Sequence, residues 1–98
     1  MARTLIVLPL ARLELIAAQD WYEDASSGLG RAFRAEVDRQ IERILDNPGQ
    51  FPSVQRDIRR ARLQRFPYGL FFRERDDSLV LIACFHGSRD PQVWRGRS

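Results

Sequence analysis

The stretch SSGLGRAFRAEVDRQIERILDNP, residues 26–48, decides the fold. Leu29, Phe33, Val37, Ile41, Ile44 and Leu45 recur at the three- and four-residue spacing that builds one apolar stripe on a helix. Arg34, Glu36, Asp38, Arg39, Glu42 and Arg43 fall mostly off that stripe and predict a solvated face. Pro48 disfavours helical geometry at Asn47 and ends the helix. At the other end, Gly28 and Gly30 supply the permissive backbone that a tight turn requires. A helix that buries one stripe needs a second layer, and its neighbours in the chain predict what that layer is.

Upstream, LARLELIAAQDWYEDA (10–25) predicts a first helix, with Pro9 in its opening turn and Leu10, Leu13, Ala17 and Trp21 on one face. The short SSGLG connection makes the pair an antiparallel hairpin. Before it, RTLIVL (3–8) is β-branched and apolar and predicts a short strand. Downstream, the period changes to two. DIRRARLQRF (57–66) alternates Ala61 and Leu63 against Arg60 and Arg62, and YGLFFRER (68–75) follows. Asp76 and Asp77 predict a hairpin turn. LVLIACFH (79–86) is apolar on both faces and belongs inside the sheet. The predicted order is β-α-α-β-β-β. This is an α+β fold, a helical hairpin packed on a small, mainly antiparallel twisted sheet, in a single domain over 1–98.

Composition narrows the function. The chain of 98 residues has room for one modest core. Its single cysteine, Cys84, lies in the apolar run and predicts a buried thiol without a disulfide, which suits a reducing cytoplasm. Arg12 and Glu14 follow the first apolar stretch directly, so neither a secretory leader nor a membrane span is expected. A lone Cys and a lone His do not make a typical zinc site, no glycine-rich phosphate loop is present, and no nucleophile–His–acid set stands out. No cofactor, metal or small-molecule substrate is expected.

All 16 basic side chains are arginine. Residues 1–47 hold 6 Arg against 8 acids (−2), while 48–98 hold 10 Arg against 5 acids (+5). An anionic partner is therefore steered to the second half. Arg56, Arg59, Arg60, Arg62 and Arg65 crowd one predicted strand. They suit either a charged edge strand that blocks aggregation or a cationic surface for nucleic acid or an acidic partner segment, and the charge imbalance favours the surface. His86 either fixes the strand end or acts on a proton. Trp94 either anchors the C-terminal segment or stacks on a base.

WYED (21–24), GLGRAF (28–33), DNP (46–48), RFPYGLFFR (65–73) and FHGSRDPQVW (85–94), in that order and spacing, resemble the RelE/ParE family of toxins from bacterial type II toxin–antitoxin modules. The resemblance covers nearly the whole chain and is nearest the ParE-like branch. It implies a plasmid-stabilisation or growth-inhibition toxin that binds DNA gyrase and forms a hetero-oligomer with a cognate antitoxin. Target or antitoxin binding would then fall to Arg59, Arg60, Arg62, Arg65, Arg89, Trp94 and Arg95. The RelE-like alternative is a ribosome-dependent mRNA endonuclease. There Arg65, Arg73, Arg89 and Arg95 would stabilise charge, and His86 or Tyr68 would move the proton. The lysines common in that branch have no counterpart here. A third possibility is a non-toxic module that only binds its partner.

Overall fold

The computed structural model describes residues 3–87. Strand β1 (Thr4–Val7) leads into helices α1 (Pro9–Ala25) and α2 (Leu29–Asp46), then a single 3-10 turn (Pro48–Gln50). Strands β2 (Ser53–Gln55), β3 (Ile58–Arg62), β4 (Tyr68–Arg75) and β5 (Ser78–His86) follow. The five strands form one sheet in the order β1-β5-β4-β3-β2, antiparallel except where β1 runs parallel to β5. The predicted α+β hairpin-on-sheet fold is what forms. β2, three residues without alternation, escaped the sequence pattern. It also changes one expectation: the arginine-rich β3 is only partly an edge strand, because β2 pairs with its first residues, Ile58 and Arg59.

Pro9 opens α1, where a missing N–H costs no intrahelical bond. Gly28 starts α2 at φ 87°, a left-handed conformation that β-carbon-bearing residues adopt only with strain. The Glu23 carboxylate holds this turn, accepting the N–H of Gly28 at 2.9 Å and that of Gly30 at 3.0 Å. Those bonds, the one to Gly28 first, keep its carboxyl below the usual carboxylate range. Gly30 sits where the helices touch most closely. A β-carbon there would lie 2.6 Å from the Gln19 carbonyl oxygen, a backbone atom with no room to yield. Gly30→Ala should therefore push the helices apart and destabilise the fold by about 1–3 kcal/mol. Denaturant unfolding would show it as a lower midpoint at unchanged slope.

The α2 stripe behaves as its spacing predicts: Phe33, Val37 and Ile44 are buried, and Leu29, Ile41 and Leu45 are half-buried at its margins. α1 does not. Its buried residues are Ala11, Leu15, Ala18 and Tyr22. The stripe predicted to face the core points outward instead, with Leu10 52%, Leu13 61% and Trp21 64% exposed, joined by Ile16 at 45%. α1 carries apolar side chains around most of its circumference, so periodicity offers two stripes. The one with the smaller residues wins because Ala11 and Ala18 permit close approach to the sheet.

Under the hairpin, Tyr22, Phe33, Phe66 and Tyr68 interlock, with Phe33 5.2 Å from the Phe66 ring and 5.4 Å from those of Tyr22 and Tyr68. The other face of the sheet carries a second buried cluster of Ile58, Phe71, Val80, Ile82, Ala83 and Phe85. A bulge makes this possible. Phe71 pairs with Ala83 but Phe72 pairs with Leu81, so Ile82 is an extra residue in β5. Ile82 and Ala83 thus both face away from the helices, while Leu81 and Cys84 face toward them. The run reads as apolar on both faces because its residues are buried on both.

Candidate target-binding surface

Strand alternation sorts the arginines of β3. Ala61 lies in the helix-side core and Ile58 in the opposite cluster. Arg59 therefore points to the helix side, where its Nη1 donates to the Phe51 carbonyl at 2.6 Å. Its role is to fasten the loop before β2. Arg60 and Arg62 project from the other face, opposite Phe71 and Gly69 respectively. Gly69 matters here: a β-carbon would come 3.3 Å from Cγ and Cδ of Arg60, so its absence leaves room for the Arg60 stem.

Neither Arg60 nor Arg62 has an ion-pair partner among the described residues. The Nε of Arg60 is buried and makes no hydrogen bond among the described residues. Burial, and after it the like charge of Arg62, lowers the Arg60 pKa. Arg73 shares this face, aligned with Val80, and Asp57 accepts from its Nη2 at 2.7 Å. That bond holds the Asp57 carboxyl below its ordinary value. The helix-free face therefore carries Arg73 anchored by Asp57, Arg75 at the end of the same strand, and the adjacent Arg60–Arg62 pair without carboxylate partners among the described residues.

The remaining predicted residues lie elsewhere. Arg65 is in the β3–β4 loop on the α2 side, its guanidinium 5.8 Å from the Phe66 ring centroid and its N–H bonded to Glu36. His86 ends β5 on the helix side and meets the Tyr68 ring edge-on at 5.4 Å. Of the ribonuclease candidates that lie in the described residues, Arg65 and Arg73 do not converge on His86 and Tyr68. Arg73 faces away from the helices, His86 and Tyr68 face toward them, and Arg65 sits on the β3–β4 loop. Arg89, Trp94 and Arg95 lie outside the described residues. Among the described residues no group of three or more His, Cys, Asp or Glu side chains is placed to hold a metal, and no helix is long and apolar enough to cross a membrane.

A family model for the ParE toxin of the type II toxin–antitoxin system parDE matches residues 5–91. The chain belongs to the ParE toxin family. It is 27% identical to Toxin ParE2 of Mycobacterium tuberculosis over 81 residues, 82% of this chain and 77% of that protein, in each of two strains. The fold is shared with a solved structure, the chromosomal ParDE toxin–antitoxin system from P. aeruginosa. The TM-score is 0.70 at 21% identity, covering 87% of this chain and 96% of the other.

In this ParE-family chain, sequence reasoning missed a second surface. The outward stripe of α1 borders a groove of about 550 Å³ lined by Glu14, Ala17, Trp21, Tyr22, Tyr68 and His86, among others. β1 stops at Val7, so beyond Leu81 the edge of β5 away from β4 has no strand beside it among the described residues. There the Glu14 carboxylate accepts the Cys84 N–H at 3.0 Å and satisfies the uncovered backbone. Cys84 itself is 2% exposed, and burial, then the Glu14 charge, push its thiol up to about 12. It should resist alkylation at pH 8 in the folded protein and react at the normal rate in denaturant, which a thiol-reagent time course would show. The usable signal for this surface was the size contrast between the two stripes of α1: Leu10, Leu13, Ile16 and Trp21 on one, against a buried one that includes Ala11 and Ala18.

Proposed function

We propose that this toxin arrests its host by binding DNA gyrase and holding it inactive, without breaking a bond, and that a cognate antitoxin in the same cytoplasm neutralises it. The observation that carries this reading is the Arg60–Arg62 pair. Two guanidiniums side by side on a strand, one with a buried and unbonded Nε, are costly to the isolated fold. They gain when an acidic surface of a macromolecule supplies the missing carboxylates, which arginine binds in bidentate geometry. Membership of the ParE family and the +3 net charge support the same direction of binding. The dispersal of Arg65, Arg73 and His86 over separate surfaces favours occupancy over phosphodiester cleavage.

The antitoxin's place is the outward face of α1. Leu10, Leu13, Ile16 and Trp21 form an apolar stripe beside a groove, and an amphipathic segment laid along it would bury both. Inducing the chain alone should stop growth and leave plasmid DNA relaxed. Co-expression with the product of a neighbouring small acidic reading frame should restore both. Growth arrest with plasmid supercoiling intact and message cut on ribosomes would overturn this reading in favour of the ribonuclease.

A further inference from the structure

Between α2 and the β3–β4 loop lies a cavity of about 160 Å³ lined by Glu36, Arg39, Gln40, Arg43, Gln64 and Arg65. It lies on the α2 side of the molecule, whereas Arg60 and Arg62 project from the helix-free face, and it is independent of how the toxin reaches gyrase. We propose that this cavity is a binding site for a phosphate dianion or phosphate monoester.

The site is built by more than one element. Arg39 and Arg43 lie one helical turn apart on α2, so both project on one side. Arg65 comes from the loop beyond β3. The loop is fixed against α2 by Glu36, which is 5% exposed and whose carboxylate accepts the N–H of Gln64 and, at 3.2 Å, that of Arg65. Gln40, 6% exposed, adds a second tie, donating from Nε2 to the Arg62 carbonyl at 2.7 Å. The cavity walls are thus held by buried polar bonds and do not depend on a ligand.

The guanidiniums remain available. Among the described residues Arg43 donates only to neutral oxygens, Oε1 of Gln40 at 2.9 Å and Oε1 of Gln50 at 3.2 Å, and it lies over the Phe51 ring. Arg65 contacts the Phe66 ring. Arg39 makes no salt bridge among the described residues. Three arginines surround one cavity, and the single carboxylate there is turned to backbone N–H groups.

The charge and size select the ligand. Three guanidiniums against the Glu36 carboxylate leave +2, which a dianionic phosphate neutralises and a single carboxylate does not. Donors arriving from a helix and a loop suit the several oxygens of a tetrahedral anion better than the plane of a carboxylate. At roughly 30 Å³ per water, the cavity takes about five waters' volume. That is room for a phosphate group.

The full-length toxin should gain thermal stability with added inorganic phosphate at constant ionic strength and show no comparable gain with acetate. Calorimetric titration should give a phosphate Kd at least tenfold weaker in Arg39→Gln/Arg65→Gln, and unchanged in Arg12→Gln on α1. If the double variant fails to fold, Arg39→Gln alone carries the test, because that side chain makes no hydrogen bond or ion pair among the described residues. Adenosine monophosphate distinguishes the sources: binding equal to phosphate marks free phosphate as the ligand, and tighter binding marks a nucleotide. Absence of phosphate binding, acetate binding as tightly, or an undiminished affinity in the arginine variant would overturn the proposal.

Discussion

Phe33→Ala should cost about 3–5 kcal/mol of folding stability. Phe33 is fully buried and touches the rings of Tyr22, Phe66 and Tyr68, which come from α1, the β3–β4 loop and β4. Truncation removes the hydrophobic transfer of one ring and leaves a cavity that three aromatics cannot close without moving both helices. Domains of this size hold only about 5–15 kcal/mol in total, so the variant sits near the threshold of folding at growth temperature. A drop in melting temperature of more than about 12 °C is expected by calorimetry. Phe33→Leu, which keeps most of the volume, should recover more than half of the loss. A drop below about 4 °C for the alanine variant would show that the ring cluster is not the keystone of the hairpin–sheet contact.

The second large effect concerns function and runs opposite to stability. Arg60→Gln/Arg62→Gln should weaken inhibition of the target at least about 30-fold, since charge-assisted bonds contribute on the order of 1.5–3 kcal/mol each. The same double variant should be no less stable than the natural chain, and somewhat more stable through Arg60. Its Nε is buried without a partner among the described residues and its charge is opposed by Arg62, so the fold loses no hydrogen bond or ion pair through the guanidinium, and glutamine keeps part of the stem packed over Gly69. Lysine at both positions should fall between, keeping the charge and losing the planar fork. Arg59→Gln supplies the contrast. It removes the bond to the Phe51 carbonyl and should cost about 1 kcal/mol of stability with little change in potency. If potency instead tracked stability across these variants, the arginine pair would be a structural feature and not a binding surface.

Much of the architecture was legible because it is local. The α2 stripe, the glycine turn and the Asp76–Asp77 hairpin each follow from spacing or from backbone preference, and Asp76 indeed adopts a left-handed φ of 54°. Period two along β3 separates Arg60 and Arg62 from Ala61 and Leu63, so the side chosen by the arginine pair could be read directly. What failed was non-local. α1 has two apolar stripes, and which one is buried depends on a sheet sixty residues downstream in the chain. β2 is too short for alternation and exists only because β3 offers it an edge. Glu36 falls on the face predicted to be solvated, and Gln40 carries no pattern that marks it as buried. Their burial is set by backbone groups 22–29 residues away, at Arg62, Gln64 and Arg65. The arginines of 56–65 appeared as one crowd, yet strand alternation and the loop distribute Arg59, the Arg60–Arg62 pair and Arg65 over three different surroundings.

The α1 surface and the arginine face are on different sides of the molecule, which gives the antitoxin a defined task. Segments covering Leu13 and Trp21 need not touch Arg60 or Arg62, so neutralisation would require either a long wrapping partner or steric exclusion of the target. Leu13→Asp should weaken antitoxin capture and leave target inhibition intact, and a pull-down beside a supercoiling assay separates the two.

The most direct measurement is a titration of purified toxin into a gyrase supercoiling reaction, run beside a ribosome-programmed message-cleavage reaction with the same preparation. Saturable loss of supercoiling that antitoxin reverses, weakened in Arg60→Gln/Arg62→Gln, with the message left whole, is the predicted result. Undisturbed supercoiling at excess toxin together with cut message would contradict it.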